Sequence, residues 1–236
     1  MKLFFNILLI ALPLSLLAQE NRWSQPADST TAGKYYLPSS IRLGVDILGP
    51  ALNFFDKRVL SYEFTAETDL GPYNLIAEGG FQSFAERNDN VDYSMQGRFF
   101  RIGPEVNFLS RDRHLNSFFF GLRYSWARFA EQVSGPVDGE NWGIVPVNFD
   151  IAQNRSSWLE MTTGVKVRIW RGFFMGYIFR FRFARWGSEP AVPFEPYFVP
   201  GYGLAARNNT WGFRYYLMYR LQWRKKVLQE KKAKKQ

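Results

Sequence analysis

Few side chains in this sequence are suited to covalent or metal chemistry. The chain contains no cysteine and one histidine, His114. Without cysteine there is no disulfide, thiolate nucleophile or cysteine metal site, and a lone histidine does not complete a zinc site or a catalytic triad. We therefore predict no catalytic residue, no metal site and no cofactor. Serine, lysine and carboxylate side chains remain, so a barrel enzyme acting on lipid or peptide stays an alternative.

Charged residues at alternate positions of apolar stretches are the more informative set. The basic members are Arg42, Arg101, Arg123, Lys166, Arg168, Arg180, Arg182, Arg214 and Arg220. The acidic members are Asp46, Glu63, Glu67, Glu78, Glu105 and Glu160. Such charges line one face of a structure only if the stretches that carry them are β-strands, in which alternate side chains share a face.

The clearest of these stretches is residues 211–223. All its odd positions are apolar, from Trp211 to Trp223, whereas Gly212, Arg214 and Arg220 lie at even positions. This period of two predicts a strand, long enough to cross a hydrocarbon layer when tilted. Comparable alternation predicts seven further strands at about 41–48, 60–69, 73–84, 98–109, 118–130, 158–170 and 173–184.

The connections and the glycines favour one closed barrel over a soluble sandwich. Short connections follow the second, fourth and sixth predicted strands, and longer ones follow the others, as in outer-membrane barrels. Glycines such as Gly44, Gly103 and Gly176 fall on the charged face. The narrow interior of an eight-stranded barrel needs small residues beside long ones. We predict an all-β fold: an eight-stranded antiparallel up-and-down transmembrane β-barrel with a cleaved N-terminal signal peptide.

Composition agrees with a membrane barrel and indicates the flanking segments. Aromatic residues make up 18% of the chain, yet the mean hydropathy is −0.27. We predict a signal peptide at residues 1–18, a flexible periplasmic leader at 19–39, the barrel at 40–223 and a basic periplasmic tail at 224–236. The tail carries seven of the Lys and Arg residues behind the net charge of +9, so the body is nearly balanced and no nucleic-acid partner is expected.

The long connections offer a second candidate site. Prolines and aromatic residues alternate in the last loop, where proline limits the freedom of the unfolded chain and aromatic side chains anchor interfaces. The candidate partner-binding residues in the third and last loops are Trp142, Phe149, Phe194, Tyr197, Phe198 and Tyr202. The alternative is a lid that packs over the mouth of its own barrel.

Several short motifs carry a resemblance. They include Trp158-Leu159-Glu160, Gly164-Val165-Lys166-Val167, Val199-Pro200-Gly201-Tyr202-Gly203 and Trp211-Gly212-Phe213-Arg214, with Arg42 to Asp46 near the first strand. Together they resemble a small outer-membrane β-barrel family of Bacteroidota, a domain of unknown function. The resemblance covers most of the chain and implies a barrel fold, without an activity.

These observations predict a non-enzymatic barrel in the outer membrane of a Gram-negative bacterium, serving as a structural or accessory component of a cell-envelope assembly. The expected partners are outer-membrane lipid and other envelope proteins, bound through the external loops or the basic tail. An unpaired charge in a narrow, low-dielectric lumen costs several kcal/mol, so mutual pairing is favoured. A small anion-preferring channel is one alternative. A lipocalin-like binder is another, but its inward face would be apolar.

Overall fold

The computed structural model describes residues 37–87, 91–138, 144–187 and 195–224, and almost all of them belong to strands. The long strands are β1 Ser40–Asp46, β2 Val59–Leu70, β3 Tyr73–Arg87, β4 Asp92–Asn107, β5 Ser117–Asp138, β6 Ile144–Trp170, β7 Phe173–Gly187 and β10 Thr210–Gln222. Two short strands, β8 Phe198–Val199 and β9 Gly203–Leu204, pair with each other. A short helix, α1, spans Leu48–Asn53. None of the helical segments described has the length and apolar character of a membrane-spanning helix.

The eight long strands form one closed antiparallel barrel, in the order β1-β10-β7-β6-β5-β4-β3-β2. Each strand pairs with its neighbour in the chain, and β10 closes the ring against β1, with Ser40 opposite Gln222. The predicted eight-stranded up-and-down barrel is therefore confirmed. Trp223 donates its backbone N–H to the Ser39 carbonyl, and Ser40 donates its backbone N–H to Asp69 beside the short β2–β3 turn, so both described ends lie at the end with the short connections. We call this end of the barrel the turn end and the opposite one the loop end.

Three strands reach further toward the loop end than the sequence predicted. β4 begins at Asp92 rather than near 98, β5 continues to Asp138 rather than 130, and β6 begins at Ile144 rather than 158. Beyond a bulge between Phe129 and Glu131, the hairpin of β5 and β6 stays paired, with Val133 opposite Phe149 and Val137 opposite Val145. Backbone hydrogen bonds can hold a strand ladder together whatever its side chains are. This segment therefore forms strands although it lacks the apolar alternation from which strands are predicted.

The two faces of the barrel have opposite character. Outward positions hold exposed large apolar side chains, such as Leu43, Phe64, Leu122, Val167 and Leu217, which are 39–52% exposed. Inward positions hold the buried charged residues. The predicted signal peptide at 1–18, most of the leader at 19–39 and most of the tail at 224–236 lie outside the described residues.

Candidate functional site: the charged lumen and its inserted loop

The charged residues predicted to line the lumen lie inside the barrel. The buried members are Arg42, Asp46, Glu63, Glu67, Glu78, Arg101, Glu105, Arg123, Glu160, Lys166, Arg180, Arg182 and Arg220. Arg168 and Arg214 are partly buried. Because period-two alternation turns every second side chain inward, residues from all eight long strands meet in one narrow space.

Glu63 on β2 is the centre of the largest group. Its Oε1 lies 2.5 Å from Nη1 of Arg101 and 2.5 Å from Nη1 of Arg180, and it accepts a hydrogen bond of 2.6 Å from the Tyr216 hydroxyl. Its Oε2 accepts one of 2.9 Å from Nε of Arg214. Three guanidinium groups around one buried carboxylate keep its charge compensated, which burial of an ion requires.

Arg101 continues the network toward the loop end. Its Nε donates to Oε1 of Glu160 at 2.8 Å, and the indole N–H of Trp158 donates to the same oxygen at 2.6 Å. Its guanidinium also lies over the ring of Phe99, 4.2 Å from the centroid. Glu160 is therefore held by a cation and by an aromatic donor on its own strand, a role that the sequence analysis did not assign to Trp158.

The network also runs toward the turn end. Nη2 of Arg180 lies 2.9 Å from Oε2 of Glu78, and Glu78 also pairs with Arg123. Nη2 of Arg123 lies 2.5 Å from Oε1 of Glu105. Carboxylates and cations thus alternate through the interior without a break.

Lys166 links this chain to the last pair. Its Nζ lies 2.6 Å from Oε2 of Glu105 and 2.6 Å from Oε2 of Glu67, and it sits 4.1 Å from the centre of the Phe119 ring. Oε1 of Glu67 accepts a hydrogen bond of 3.1 Å from Nη1 of Arg42. The alternating charges therefore extend from Glu160 near the loop end to Arg42 near the turn end.

Apolar side chains fill the space on one side of the charges. Phe119, Phe174, Ile178, Tyr216 and Met218 form a buried inward cluster. The sequence pattern does not assign them to a core, since each interrupts the charged face of its strand. Their signal was positional: an apolar residue at an inward position fills the volume that glycines at neighbouring positions leave.

A loop from the β7–β10 connection closes the loop end of the lumen from inside. This inserted loop (residues 195–209) buries Phe198 and Tyr202, and Phe198 stacks on Phe84 with ring centroids 4.5 Å apart. The backbone N–H of Gly201 donates to the Gln82 side chain at 2.7 Å, and Nη2 of Arg101 donates to the Gly201 carbonyl at 3.1 Å. The loop therefore bonds directly to the charge network.

Two details keep the inserted loop compact. Gly201 has a φ of +80°, and a Cβ there would lie 2.8 Å from Cγ of Phe99, so glycine is required by conformation and by space. The Tyr202 side chain packs edge-on against Trp158 at 5.7 Å, and its hydroxyl lies 2.7 Å from the Arg207 carbonyl. Burial raises the pKa of the Tyr202 phenol, which keeps the donor protonated.

Glu131 anchors the same loop and was missed in the sequence. Its carboxylate accepts hydrogen bonds from the Tyr93 hydroxyl and the Asn154 amide, and one of 3.2 Å from the backbone N–H of Tyr197. The Tyr93 oxygen in turn accepts a hydrogen bond of 3.2 Å from the N–H of Phe198. Glu131 lay in a segment predicted to be a loop, so its inward orientation could not be inferred.

Comparison with known proteins identifies the family. The model of the family described as Domain of unknown function (DUF6048) matches residues 1–226. The chain belongs to this family. The predicted resemblance to a barrel family of unknown function is consistent with the match, whereas the Bacteroidota affiliation stays a prediction. A comparison with curated proteins found no match.

Two solved structures are similar to the DUF6048 chain at low identity. One is the neisserial surface protein A (NspA), with 11% identity over 79% of this chain and 96% of that one and a TM-score of 0.40. The other is Ail, the attachment invasion locus protein of Yersinia pestis, in complex with the heparin analogue sucrose octasulfate. It has 11% identity over 78% of this chain and 98% of that one, with a TM-score of 0.39. Similarities this distant carry no information about ligands of the DUF6048 chain.

Three predicted lumen residues have surroundings that differ from those of the central network. Asp46 lies 3.4 Å from Nε of Arg214 and also accepts the backbone N–H of Gly49 at 2.9 Å, so it fixes the start of α1. Arg220 donates to the Ser40 hydroxyl at 2.7 Å, rather than to a carboxylate. Nη2 of Arg168 lies 2.8 Å from Nδ1 of His114, an exposed turn residue.

The predicted partner-binding aromatics do not share one surface. Phe198 and Tyr202 are 9% and 0% exposed, so their packing inside the barrel mouth removes them from any partner surface. Phe149 lies on β6 rather than in a loop and is 37% exposed, while Tyr197 is 48% exposed. Trp142 and Phe194 lie outside the described residues. Within the described ranges no group of three His, Asp or Glu residues could hold a metal ion.

Proposed function

We propose that this protein is an outer-membrane β-barrel whose lumen is closed by paired charges, and that it serves as a non-enzymatic accessory component of the cell envelope. The observation that supports the location is the reversal of the two faces. Exposed apolar side chains surround the barrel, whereas most of the charged residues that line the lumen are buried. Water would penalise such an outer surface, but a lipid bilayer matches it.

Aromatic residues near both ends of the lipid-facing surface support the same proposal. Trp170 stacks on Phe173 at the turn end, with ring centroids 6.1 Å apart. At the loop end Phe100 contacts Trp126 at 5.1 Å. Tryptophan and tyrosine concentrate where hydrocarbon meets head groups, so two such belts mark the expected boundaries of a membrane.

The location is tested by expressing the full chain in a Gram-negative host and separating the envelope fractions. We expect the protein in the outer membrane, with a gel mobility that changes on heating because the folded barrel resists detergent. The proposal fails if the chain is recovered from the soluble periplasm.

The non-enzymatic character is supported by the state of the inward carboxylates. Glu63, Glu105 and Glu160 each lie within 2.8 Å of a guanidinium nitrogen and are at most 1% exposed. A carboxylate neutralised by a cation and shielded from solvent is poorly suited to act as a general base. The same pairing, together with the inserted loop, supports a lumen that conducts poorly and disfavours the channel alternative.

The accessory role is supported by the exposed aromatics that remain at the loop end. Tyr197 and Phe149 are accessible to another envelope protein, whereas Phe213, also an aromatic residue, faces outward on β10 among lipid-facing residues. A photoreactive phenylalanine analogue placed at 197 or 149 in native membranes should crosslink to a protein. The same analogue at 213 is the matched control and should crosslink to lipid. Equal protein adducts, or none, at all three positions would count against a partner.

A further inference from the structure

Three arginines form a row on the outer surface of the barrel. Arg98 on β4 lies directly opposite Arg128 on β5, and Arg128 lies directly opposite Arg155 on β6. All three side chains are exposed. They belong to the outward face, since their neighbours in the chain, Phe99 and Ala127 among them, are buried inward. None of them belongs to the lumen network.

The direct opposition of Arg98 and Arg128 is unfavourable without an anion. Directly opposed side chains on neighbouring strands lie about 5 Å apart at their Cβ atoms, and like charges at such positions repel. Along the three strands, the outward positions on the loop side of the row hold Gln96, Ala130 and Gln153. Arg98 and Arg128 form no ion pair with any carboxylate in the described parts of the chain. Arg98 and Arg128 therefore present concentrated positive charge to their surroundings.

The row lies where the lipid-facing surface ends. Arg98 precedes Asn107, the end of β4, by nine residues. At ~3.4 Å per residue and a tilt of ~40°, this places the row about 23 Å from the turn end, close to the ~25 Å height of the apolar band of such barrels. On the turn side of the row lie Phe100 and Trp126, which contact each other at 5.1 Å.

The row continues laterally into an aromatic wall. Arg98 lies opposite Phe81, and Phe81 lies opposite Tyr62, both of them exposed. These residues and the arginines line a surface groove of about 750 Å³. A ligand in this groove would meet cations on one side and aromatic faces on the other. This combination suits an amphipathic molecule with an anionic head.

We propose that Arg98, Arg128 and Arg155 bind the phosphate groups of a lipid head group at the loop-end boundary of the membrane. The guanidinium fork matches phosphate oxygens in a bidentate manner, and neighbouring strands ~4.8 Å apart spread the three forks over about 10 Å. The acyl chains of the same lipid lie along Phe100 and Trp126. This inference rests on the proposed membrane location.

The probe is lipid A, a glycolipid with two phosphates, compared with the same lipid after removal of its phosphates. The full-length protein is reconstituted with either lipid in neutral detergent, and the midpoint temperature of heat-modifiable gel mobility is measured. We expect a higher midpoint with the phosphorylated lipid. Inorganic phosphate at the same concentration is expected to give no shift, which distinguishes a lipid head group from a free anion.

Arg128→Gln is the decisive variant, because Arg128 is the central member of the row. It should weaken binding of the phosphorylated lipid by about tenfold or more, as expected for one charge-assisted contact. The matched control is Arg171→Gln, since Arg171 lies beside Trp170 at the turn end, 5.1 Å from its ring centre. Arg128→Lys keeps the charge but not the guanidinium fork. Its affinity for the phosphorylated lipid should lie between those of Arg128→Gln and Arg171→Gln.

The two lipids should give opposite effects for this variant. In the lipid without phosphates, the midpoint temperature of Arg128→Gln should equal or exceed that of the wild type, because the substitution removes repulsion between arginines. A merely structural arginine would lower the midpoint in both lipids, and that result overturns the inference. So does equal binding of the two lipids by the wild type, or equal stabilisation by free phosphate. Failure to insert into any lipid would instead overturn the membrane location itself, and with it this inference.

Discussion

Nζ of Lys166 on β6 lies 2.6 Å from Oε2 of Glu67 on β2, although these two strands stand on opposite sides of the ring. The ion pair therefore crosses the full width of the lumen. Arg180 on β7 and Glu78 on β3, also on opposite sides, meet at 2.9 Å in the same way. Contacts of this kind exist only in a barrel so narrow that side chains from facing walls touch.

Removal of Lys166 should be strongly destabilising. Lys166→Met leaves Glu67 and Glu105 with one fewer cation in a buried site, and we expect a loss of about 3–5 kcal/mol in the free energy of unfolding. Urea unfolding in detergent, followed by tryptophan fluorescence, measures it. Lys57→Met is the matched control at an exposed loop position and should change the value by less than about 0.5 kcal/mol. Equal effects of the two variants would contradict buried pairing.

Arg214 offers a test by compensation. Arg214→Ala leaves Glu63 with Arg101 and Arg180, but it removes the cation 3.4 Å from Asp46. We therefore expect Asp46→Asn to restore part of the lost stability in the double variant, since the asparagine oxygen can still accept the Gly49 N–H. Urea midpoints of the four proteins form the cycle. Strict additivity would show that Arg214 and Asp46 are not coupled.

A charge placed on the outward face of the barrel should not be compensated by Asp46→Asn. Leu217 lies between Tyr216 and Met218 on β10 but faces away from the lumen and is 39% exposed. Leu217→Arg puts a charge in the lipid and should cost about 2–4 kcal/mol near the midplane. Leu217→Met is the neutral control. Asp46→Asn should restore nothing in Leu217→Arg, because the two side chains lie on opposite faces of the barrel wall.

The sequence predicted the faces of the strands better than it predicted contacts. Alternation over 211–223 assigns Arg214 and Arg220 to the same inward face, and both point there. It does not specify that Arg214 reaches Glu63 on β2 while Arg220 bonds to Ser40 on β1. Those partners depend on strand stagger and barrel width, which arise from long-range pairing rather than from local pattern.

Two parts of the fold carried no local signal. The outer half of the β5–β6 hairpin holds Gly135 opposite Val147 and Pro136 opposite Pro146, residues that usually indicate a turn, yet it is paired throughout. The inserted loop contains aromatic residues that suit either a partner or the barrel's own interior. Phe198 and Tyr202 pack inward because Trp158 and Phe84 lie inside the mouth of the barrel, and this position is not apparent from the local sequence.

Gly121 provides room for the network on β5. A Cβ there would lie 2.8 Å from Cγ of Glu105 and 3.0 Å from the Pro104 carbonyl oxygen. Gly121→Ala should shift Glu105 from Arg123 and Lys166, at a cost of about 1–3 kcal/mol. Gly79→Ala is the control, since its Cβ would meet only the outward ring of Phe100, at 3.3 Å, among side chains. Urea unfolding with equal losses for both variants would argue against a space requirement specific to the lumen.

Planar-bilayer recording tests closure of the lumen, and we expect no stable conductance of porin size from the wild type. Replacement of the inserted loop (residues 195–209) by a short Gly-Ser linker should not open the barrel, because Lys166–Glu67 and Arg180–Glu78 still cross the lumen. Conductance is expected only when the loop replacement is combined with Lys166→Ala and Glu67→Ala, which removes one crossing pair and also takes from Arg42 its carboxylate partner at 3.1 Å. Lys57→Ala in the same background is the control. A stable anion-selective current through the wild type would defeat the closed-lumen proposal and favour the channel alternative, since a water-filled path needs the arginines to face solvent rather than carboxylates.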